Sequence, residues 1–207
     1  MFVLTWCEPS VYFAAFLIIV CPLYWNYVAR WEHRTDRVSD YFGSPFKGFV
    51  CFTLSVILLS FCRDWRYLQA IKNQSRWFAL QQNSILWLGY FLIILGSSLN
   101  LCTLCSLGIK GAYFGEFFGF LLPRKLQSFP FNIVEHGFYV GTVLLYLGLA
   151  LVSASQAGLM LTFLLAIVYR ISYLYERPYM EDMYRPHRRV KRVTDEIHWE
   201  TVQTMVS

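Results

Sequence analysis

Five apolar stretches, separated by shorter polar ones, dominate the chain. They lie at about 11–29, 48–62, 84–107, 138–153 and 158–174. Each is long enough for a helix, and a helix of about 20 apolar residues crosses a hydrocarbon core of roughly 30 Å. The pattern therefore predicts an all-α, polytopic membrane protein with four or five transmembrane or re-entrant helices.

Two segments depart from simple spans. Pro22 lies inside the first apolar stretch, where it predicts a kink or a break into two half-helices, so that this stretch would be re-entrant or interfacial. Residues 108–135 mix charged, aromatic and aliphatic side chains over a length too great for a simple loop. We expect a lateral or interfacial segment there.

Composition and charge support a membrane location. The 207 residues are 57% hydrophobic and only 15% charged, which argues against a soluble globular protein and leaves no length for a separate soluble domain. The net charge of +5 comes from clusters, and Arg185, Arg188, Arg189, Lys191 and Arg192 form one in a C-terminal tail that suits an anionic lipid surface. We expect a membrane domain at 1–183 and a basic tail at 184–207, and no nucleic-acid partner, because no nucleic-acid motif accompanies the charge.

The cysteines predict neither a disulfide framework nor a metal site. Most of the six cysteines lie within or beside apolar runs, where a thiol behaves as a small hydrophobic group. Cys102 and Cys105 have the spacing of a zinc-binding pair, but no second pair and no nearby histidine accompanies them. We expect no metal.

The stretch "GIKGAYFGEFFG", residues 108–119, carries an acid among glycines. Gly111, Gly115 and Gly119 recur every four residues, so in a helix they would form one smooth ridge for a neighbouring helix or a ligand. Glu116 favours the ligand, because a carboxylate at membrane depth is costly and usually faces a partner or a water-filled site. Both interpretations, packing face and functional site, stay open on spacing alone.

Other polar residues stand at the ends of apolar runs. An interfacial belt of tyrosine and tryptophan explains the aromatic residues around Asn26, Arg30 and Glu32, but it does not explain Asn26. His136 directly precedes the fourth run, where a single histidine is more often a capping or packed residue than a catalyst. Glu176 closes the last run and is typical of an ordinary polar helix end.

Four motifs follow one another along the chain. They are "PLYWNYVARWE" at 22–32, "FGSPF" at 42–46, "GIKGAYFGEFFG" at 108–119 and "FPFN" at 129–132. From about residue 22 to residue 185 the chain resembles the phospholipid N-methyltransferases, specifically the phosphatidylethanolamine N-methyltransferases of eukaryotes.

The resemblance implies a chemistry and a set of residues. The family transfers methyl groups from S-adenosylmethionine to the ethanolamine headgroup, in up to three steps toward phosphatidylcholine. Glu116 and His136 would be catalytic, with Glu116 attracting the lipid ammonium and accepting its proton. Aromatic side chains, among them Trp25, Tyr113 and Tyr139, would favour the methylated cation. The matching positions for cofactor binding are Gly96, Tyr139, Gly141 and Glu176, and those for substrate binding are Asn26, Arg30, Glu32, Tyr113 and Asn132.

Three positions depart from the family pattern. Ile94 replaces the first glycine of a G-x-G cofactor motif, Gly137 replaces a proline, and Arg177 replaces the second acid of a paired-acid motif. Two functions therefore stay open. One is a working S-adenosylmethionine-dependent phospholipid methyltransferase; the other is a non-catalytic relative that binds lipid as a structural subunit of a membrane complex.

Two alternatives also stay open for the cellular membrane in which the protein lies. The resemblance implies the endoplasmic reticulum or a mitochondrial membrane, and the structural-subunit alternative would suit the mitochondrial inner membrane. In either case phospholipids and the membrane are the expected partners, joined by other subunits in the second case.

Overall fold

The computed structural model describes residues 9–74, 76–120 and 136–183, and these residues are almost wholly helical. Six α-helices occur, in the order α1 Pro9–Thr35, α2 Arg37–Phe42, α3 Pro45–Lys72, α4 Asn83–Ala112, α5 Gly137–Val152 and α6 Gln156–Met183. A 3-10 turn, Phe78–Leu80, precedes α4 and a 3-10 helix, Gly115–Phe118, follows it. All five predicted helical stretches are present.

Four segments are long and apolar enough to cross a membrane: Pro9–Thr35, Pro45–Lys72, Asn83–Phe118 and Gln156–Met183. The fifth apolar helix, α5, has only 16 residues. At about 1.5 Å per residue it is shorter than a hydrocarbon core of roughly 30 Å. The prediction of an all-α polytopic membrane protein is confirmed.

Pro22 does not divide the first helix, so the predicted break is wrong. Helix α1 continues through Pro22 for 27 residues. The Asn26 side chain donates to the Pro22 carbonyl over 3.1 Å, one turn further along. A proline ring costs one backbone hydrogen bond, and a long helix packed against a neighbour tolerates that loss.

Helices α1 and α3 run antiparallel, joined by α2. The Tyr24 and Ser55 hydroxyls lie 2.7 Å apart, and the Tyr24 ring stacks on Phe52. Ser44 caps α3 by accepting from the Lys47 N–H, and Pro45 follows at the first helical position. The "FGSPF" motif is thus the start of a helix, where a capping serine and a proline are both favourable.

Helices α4 and α5 pack antiparallel with their backbones in direct contact. A Cβ atom built on Gly96 would lie 2.5 Å from the Gly141 carbonyl oxygen, and one on Gly148 would lie 2.6 Å from the Gly89 carbonyl oxygen. Gly89 and Gly96 are two turns apart on α4, as Gly141 and Gly148 are on α5. Only glycine permits this approach, because any side chain would occupy the position of the opposing carbonyl.

A buried polar cluster joins α3, α5 and the first part of α6. The Arg63 guanidinium is 6% exposed and bonds Asp64 at 2.8 Å, Tyr146 at 3.2 Å and Tyr169 at 2.6 Å. The Tyr67 hydroxyl donates to the Tyr146 carbonyl over 2.8 Å. A charge inside a membrane helix bundle persists only when it is paired in this way, so the cluster fixes α3 against its neighbours.

Arg63 directly follows the second apolar stretch in the sequence, and it lies within α3 among buried hydroxyl groups. Its partners could not be identified from neighbouring residues, because Tyr146 and Tyr169 are more than eighty residues away along the chain. An arginine at the end of an apolar run thus carries a different role from its neighbour Arg66, whose side chain lies over the Phe13 ring.

The chain divides into two compact units, residues 1–170 and 171–207. The described part of the second unit, residues 171–183, is helical and carries an ion pair between Arg177 and Glu181 at 2.9 Å. The predicted boundary between a membrane domain and a tail at 184 stays a prediction, because residues 184–207 lie outside the described residues.

Replacing Gly148 by valine should separate α4 from α5. Forcing extra methyl groups into a closed interface costs about 1–3 kcal/mol. We expect a lower unfolding temperature of the purified protein in detergent, measured by a thermal shift assay. Ser98→Val is the control, because Ser98 is exposed on α4 and the added methyl groups meet no backbone there. Equal melting of the two variants would contradict the packing of Gly148 on Gly89.

Candidate active site

Glu116 belongs to a short segment that follows a break in α4. The helix is interrupted at Gly108, whose φ is 62°, and it ends at Ala112. Phe114 then adopts a left-handed conformation with φ 60°, and the 3-10 helix Gly115–Phe118 begins. Each of these residues turns the chain away from the axis of α4, so the segment leaves the helix and folds back toward α1 and α3.

Aromatic side chains hold this segment against two helices. The Phe117 ring meets His33 of α1 at 5.9 Å, edge to face. On α3, the Phe118 ring lies 5.5 Å from Phe52 and 5.9 Å from Phe49. Glu116 stands between these anchors and is only 3% exposed. The carboxylate is therefore held in the protein interior by its neighbours.

The glycines of this stretch do not form a helical ridge, so that prediction is wrong. Gly115 follows the end of α4, and a Cβ atom there would lie 2.6 Å from the Lys110 carbonyl oxygen. Gly119 closes the 3-10 helix with φ 93°, a conformation that favours glycine. The glycines serve the tight turn of the backbone here, and the contacts with α1 and α3 are made by the aromatic side chains between them.

Gly96 and Gly141, two predicted cofactor positions, meet each other across the α4–α5 contact. The space that their missing side chains leave is filled by the opposing backbone, and the Asn100 Oδ1 atom also packs on Gly141. The start of α5 is equally close, because Gly137 packs on the Thr103 hydroxyl. The two glycines therefore form no open cradle, and they fix the position of α5 against α4.

A row of aromatic rings leads from the start of α5 toward α1. The His136 ring stacks on Tyr139 with centroids 5.0 Å apart and planes 16° apart. Tyr139 lies 4.5 Å from Tyr169 of α6, which in turn lies 6.4 Å from Trp25 of α1. The row brings together His136 and Tyr139, both predicted from the sequence. It adds Tyr169, which no motif had indicated.

Three buried polar atoms, on α1, α3 and α4, have no hydrogen-bond partner among the described residues. They are the indole Nε1 of Trp25, the Oγ1 of Thr53 and the Oδ1 of Asn100. A buried polar group without a partner is costly. A cationic cofactor fits the rings at the start of α5, where His136 stacks on Tyr139.

The carboxylate oxygens of Glu32 are hydrogen-bonded within the protein. Its side chain is fully buried and its two carboxylate oxygens accept from the Val38 N–H at 2.7 Å and from the Ser39 N–H at 3.0 Å. The Ser39 hydroxyl donates to it as well. These donors begin α2, so Glu32 ties α1 to the N-terminus of that helix, where a negative charge is favourable. A substrate role for Glu32 stays a prediction.

The remaining substrate positions are scattered. Asn26 bonds the backbone of its own helix, Arg30 is half-buried on α1, and Tyr113 is half-buried directly after α4. Asn132 lies outside the described residues. His33, the residue after Glu32 on α1, contacts Phe117 of the Glu116 segment, and Tyr113 directly precedes that segment in the chain.

Two of the three departures from the family pattern lie on α4 and α5, and the third lies in the second unit. Ile94 is 67% exposed on α4 and faces away from the α5 contact. Gly137 allows the close approach of Thr103. In the second unit, Arg177 follows Glu176 directly, and its guanidinium pairs with Glu181 at a half-exposed position. The added cation is thus neutralised by an acid one turn further along the same helix.

Two features of the site could not be found from motifs. Thr53 lies in an apolar stretch where a hydroxyl normally bonds its own helix, and Asn100 lies inside the third apolar run. A carboxamide inside a membrane-spanning helix is energetically costly. This cost is the sequence feature from which a role for Asn100 could have been predicted.

Replacing Glu32 by glutamine should destabilise the fold. The change removes the charge from a carboxylate that accepts three hydrogen bonds, and losing a bond to a charged group costs about 1.5–3 kcal/mol. We expect a lower unfolding temperature, and a smaller loss of the same kind in Ser39→Ala. If Glu32→Gln melts as the wild type does, the carboxylate is not the link between α1 and α2.

The chain was compared with known proteins. The family model described as phospholipid methyltransferase matches residues 84–187. Human phosphatidylethanolamine N-methyltransferase is 39% identical over 178 residues, which cover 86% of this chain and 89% of the relative. The phosphatidyl-N-methylethanolamine N-methyltransferase of Emericella nidulans is 34% identical, covering 88% and 89%.

The phosphatidyl-N-methylethanolamine N-methyltransferase of Saccharomyces cerevisiae is 31% identical to this chain. The alignment covers 85% of this chain and 87% of the relative. No solved structure matches the chain. The similarity extends over most of each relative, and it includes the segments that carry Glu116, the aromatic row and the glycine contact. The chain therefore belongs to the phospholipid methyltransferase family.

Proposed function

We propose that the protein methylates the ethanolamine headgroup of phospholipids, with S-adenosylmethionine as the methyl donor. The observation that carries the proposal is the buried carboxylate of Glu116, held between anchoring phenylalanines in a member of this family. Human phosphatidylethanolamine N-methyltransferase, which is similar over most of its length, supports the substrate class.

Glu116 accepts the proton that the lipid headgroup must lose before it can be methylated. An ethanolamine headgroup carries an ammonium ion, whose nitrogen has no lone pair until it loses a proton. In a site of low dielectric the carboxylate attracts the ammonium strongly and accepts its proton, which leaves a neutral amine. S-adenosylmethionine, when bound, supplies a methyl group that is open to attack by such an amine.

Much of the remaining acceleration comes from position and from the exclusion of water. Phe117 and Phe118 hold the Glu116 backbone against α1 and α3, so the carboxylate cannot swing into solvent. The rings of Tyr139, Tyr169 and Trp25 offer a surface that favours a methylated or sulfonium cation over a hydrated one. His136 stacks at the end of this row, and we assign it a role in orienting Tyr139.

The residue of the aromatic row that would hold the methyl donor is Tyr139. In the second unit, Glu176 stays a predicted cofactor position, because a carboxylate suits a cationic sulfonium ligand. Gly96 and Gly141 contribute indirectly, through the helix contact that sets the position of Tyr139. The alternative of a non-catalytic subunit rests on the three departures, of which Ile94 faces away from the α4–α5 contact and Gly137 packs on Thr103.

The membrane in which the protein acts is part of the proposal. We infer the endoplasmic reticulum or a mitochondrial membrane, as the family resemblance implies. The basic tail at 184–207 suits the anionic surface of either membrane. Imaging a tagged chain beside markers of the two organelles distinguishes them.

Replacing Glu116 by glutamine should abolish methyl transfer. A positioned general base contributes about 10²–10⁴-fold, so we expect turnover to fall by at least roughly a hundredfold. The assay uses purified protein in mixed micelles of phosphatidylethanolamine and detergent with methyl-labelled S-adenosylmethionine. Asp40→Asn is the matched control, because it also changes a carboxylate to an amide, at an exposed position on α2.

Two outcomes would contradict the proposal at different levels. Unchanged turnover in Glu116→Gln removes Glu116 from the reaction and leaves the activity standing. A wild-type protein that labels no phospholipid and does not bind S-adenosylmethionine at micromolar concentration is not a methyltransferase.

A further inference from the structure

The buried cation Arg63 joins three helices of the first unit. From α3, its Nη1 donates to the Tyr169 hydroxyl of α6 over 2.6 Å, and its Nε donates to the Tyr146 hydroxyl of α5 over 3.2 Å. The side chain is only 6% exposed. A charge at this depth in a membrane protein is costly and is usually kept for function, and its partners indicate which function it serves.

Asp64 balances the charge of Arg63. One Asp64 oxygen accepts from the guanidinium at 2.8 Å and from the Tyr146 hydroxyl. The Asp64 side chain is 48% exposed, so the acid lies at the outer side of the cluster and the cation at the inner side. Arg63 therefore holds two phenol groups without adding a net charge to the interior.

Tyr169 is held at both ends. Its hydroxyl accepts from Arg63, whereas its ring lies 4.5 Å from the Tyr139 ring of α5. The residue is 4% exposed, so both contacts are made inside the protein. A side chain whose far end is hydrogen-bonded keeps one orientation, and the Tyr169 ring is therefore a fixed surface on which Tyr139 packs.

Helices α5 and α6 are joined at two levels as a result. Tyr139 and Tyr146 are seven residues apart on α5, which places them on one face about 10 Å apart. At one level Tyr139 meets the Tyr169 ring, and at the other Arg63 bridges Tyr146 to the Tyr169 hydroxyl. The contact continues from Tyr139 to His136, whose ring stacks on it at 5.0 Å. Each step from Arg63 to His136 is a direct contact, so a change at Arg63 is passed to the start of α5.

We propose that Arg63 is a positioning residue of the methyl-donor site, which acts through the Tyr169 hydroxyl to fix the Tyr139 ring. The proposal rests on the function proposed above, in which Tyr139 holds the methyl donor. The role of Arg63 is indirect, because it reaches Tyr139 through Tyr169. A binding surface tolerates little error in position, so a ring that is no longer held loses affinity for the molecule it binds.

Tyr67 provides the control for Tyr169. Its hydroxyl is buried in the same cluster, where it donates to the Tyr146 carbonyl over 2.8 Å and lies 3.1 Å from the Thr162 hydroxyl. Its ring packs on Tyr146, two turns of α5 away from Tyr139. Replacing either tyrosine by phenylalanine removes one buried hydroxyl and keeps the ring, so both variants should melt below the wild type. Of the two hydroxyls, the one on Tyr169 holds the ring that contacts Tyr139.

The experiment measures the binding of S-adenosylhomocysteine, the product of the methyl donor, to purified protein in detergent by titration calorimetry. We expect Tyr169→Phe to raise the dissociation constant about tenfold and Tyr67→Phe to leave it at the wild-type value. In the labelling assay, Tyr169→Phe should raise the KM for S-adenosylmethionine by a similar factor and change kcat less, because a binding surface is lost. A purely structural role would lower the melting temperature alone.

Arg63→Met tests whether Arg63 acts through Tyr169. This change removes the donor, and we expect it to weaken S-adenosylhomocysteine binding as Tyr169→Phe does. If the two residues act as one unit, the double variant should weaken binding by less than the product of the two single effects. Where Arg63→Met does not fold, the comparison of Tyr169→Phe with Tyr67→Phe decides alone.

Three results overturn the proposal. They are wild-type affinity for S-adenosylhomocysteine in Tyr169→Phe, equal weakening by Tyr67→Phe, and single effects that multiply in the double variant. Any of these, in a protein whose wild type labels phosphatidylethanolamine, contradicts the role of Arg63 and leaves the methyltransferase function standing. A wild type that neither labels lipid nor binds S-adenosylhomocysteine contradicts both.

Discussion

The backbone contact between α4 and α5 is the constraint on which the described site depends. Gly96 meets Gly141 and Gly89 meets Gly148, and this approach fixes both the separation and the register of the two helices. Register in turn decides that Asn100 packs on Gly141 and that Tyr139 faces the first part of α6. In a membrane, where lipid competes equally for apolar side chains, such close packing is a main source of helix association.

The fold was largely predictable because a membrane restricts the choices. All five helical stretches follow from the apolar runs, since only helices satisfy the backbone inside the hydrocarbon. The predictions failed where rules based on neighbouring residues were overridden by packing between distant parts of the chain. Pro22 was expected to break α1, but the long helix continues through it, and the glycines around Glu116 were expected in a helix that in fact ends at Ala112.

The site was predictable only in part, for a similar reason. Motifs indicated Glu116, His136 and Tyr139, and the structure places the last two in one stack. Motifs also gave Glu32 a substrate role, although its oxygens are taken by the start of α2. A motif records that a position matters, but not whether the side chain meets a ligand, a helix terminus or another backbone. Ile94 illustrates the converse, because it breaks a motif while facing outward.

The shortness of α5 has a consequence for the lipid itself. This helix begins at Gly137, level with Thr103, whereas α4 continues for nine more residues to Ala112. At about 1.5 Å per residue, the straight part of α4, which ends at the break at Gly108, extends roughly 8 Å beyond the start of α5. The hydrophobic thickness on this side of the helix pair is therefore uneven, and lipids beside α5 relieve the mismatch when the bilayer thins locally. Thinning brings the headgroups of these lipids closer to the start of α5, where His136 and Tyr139 lie.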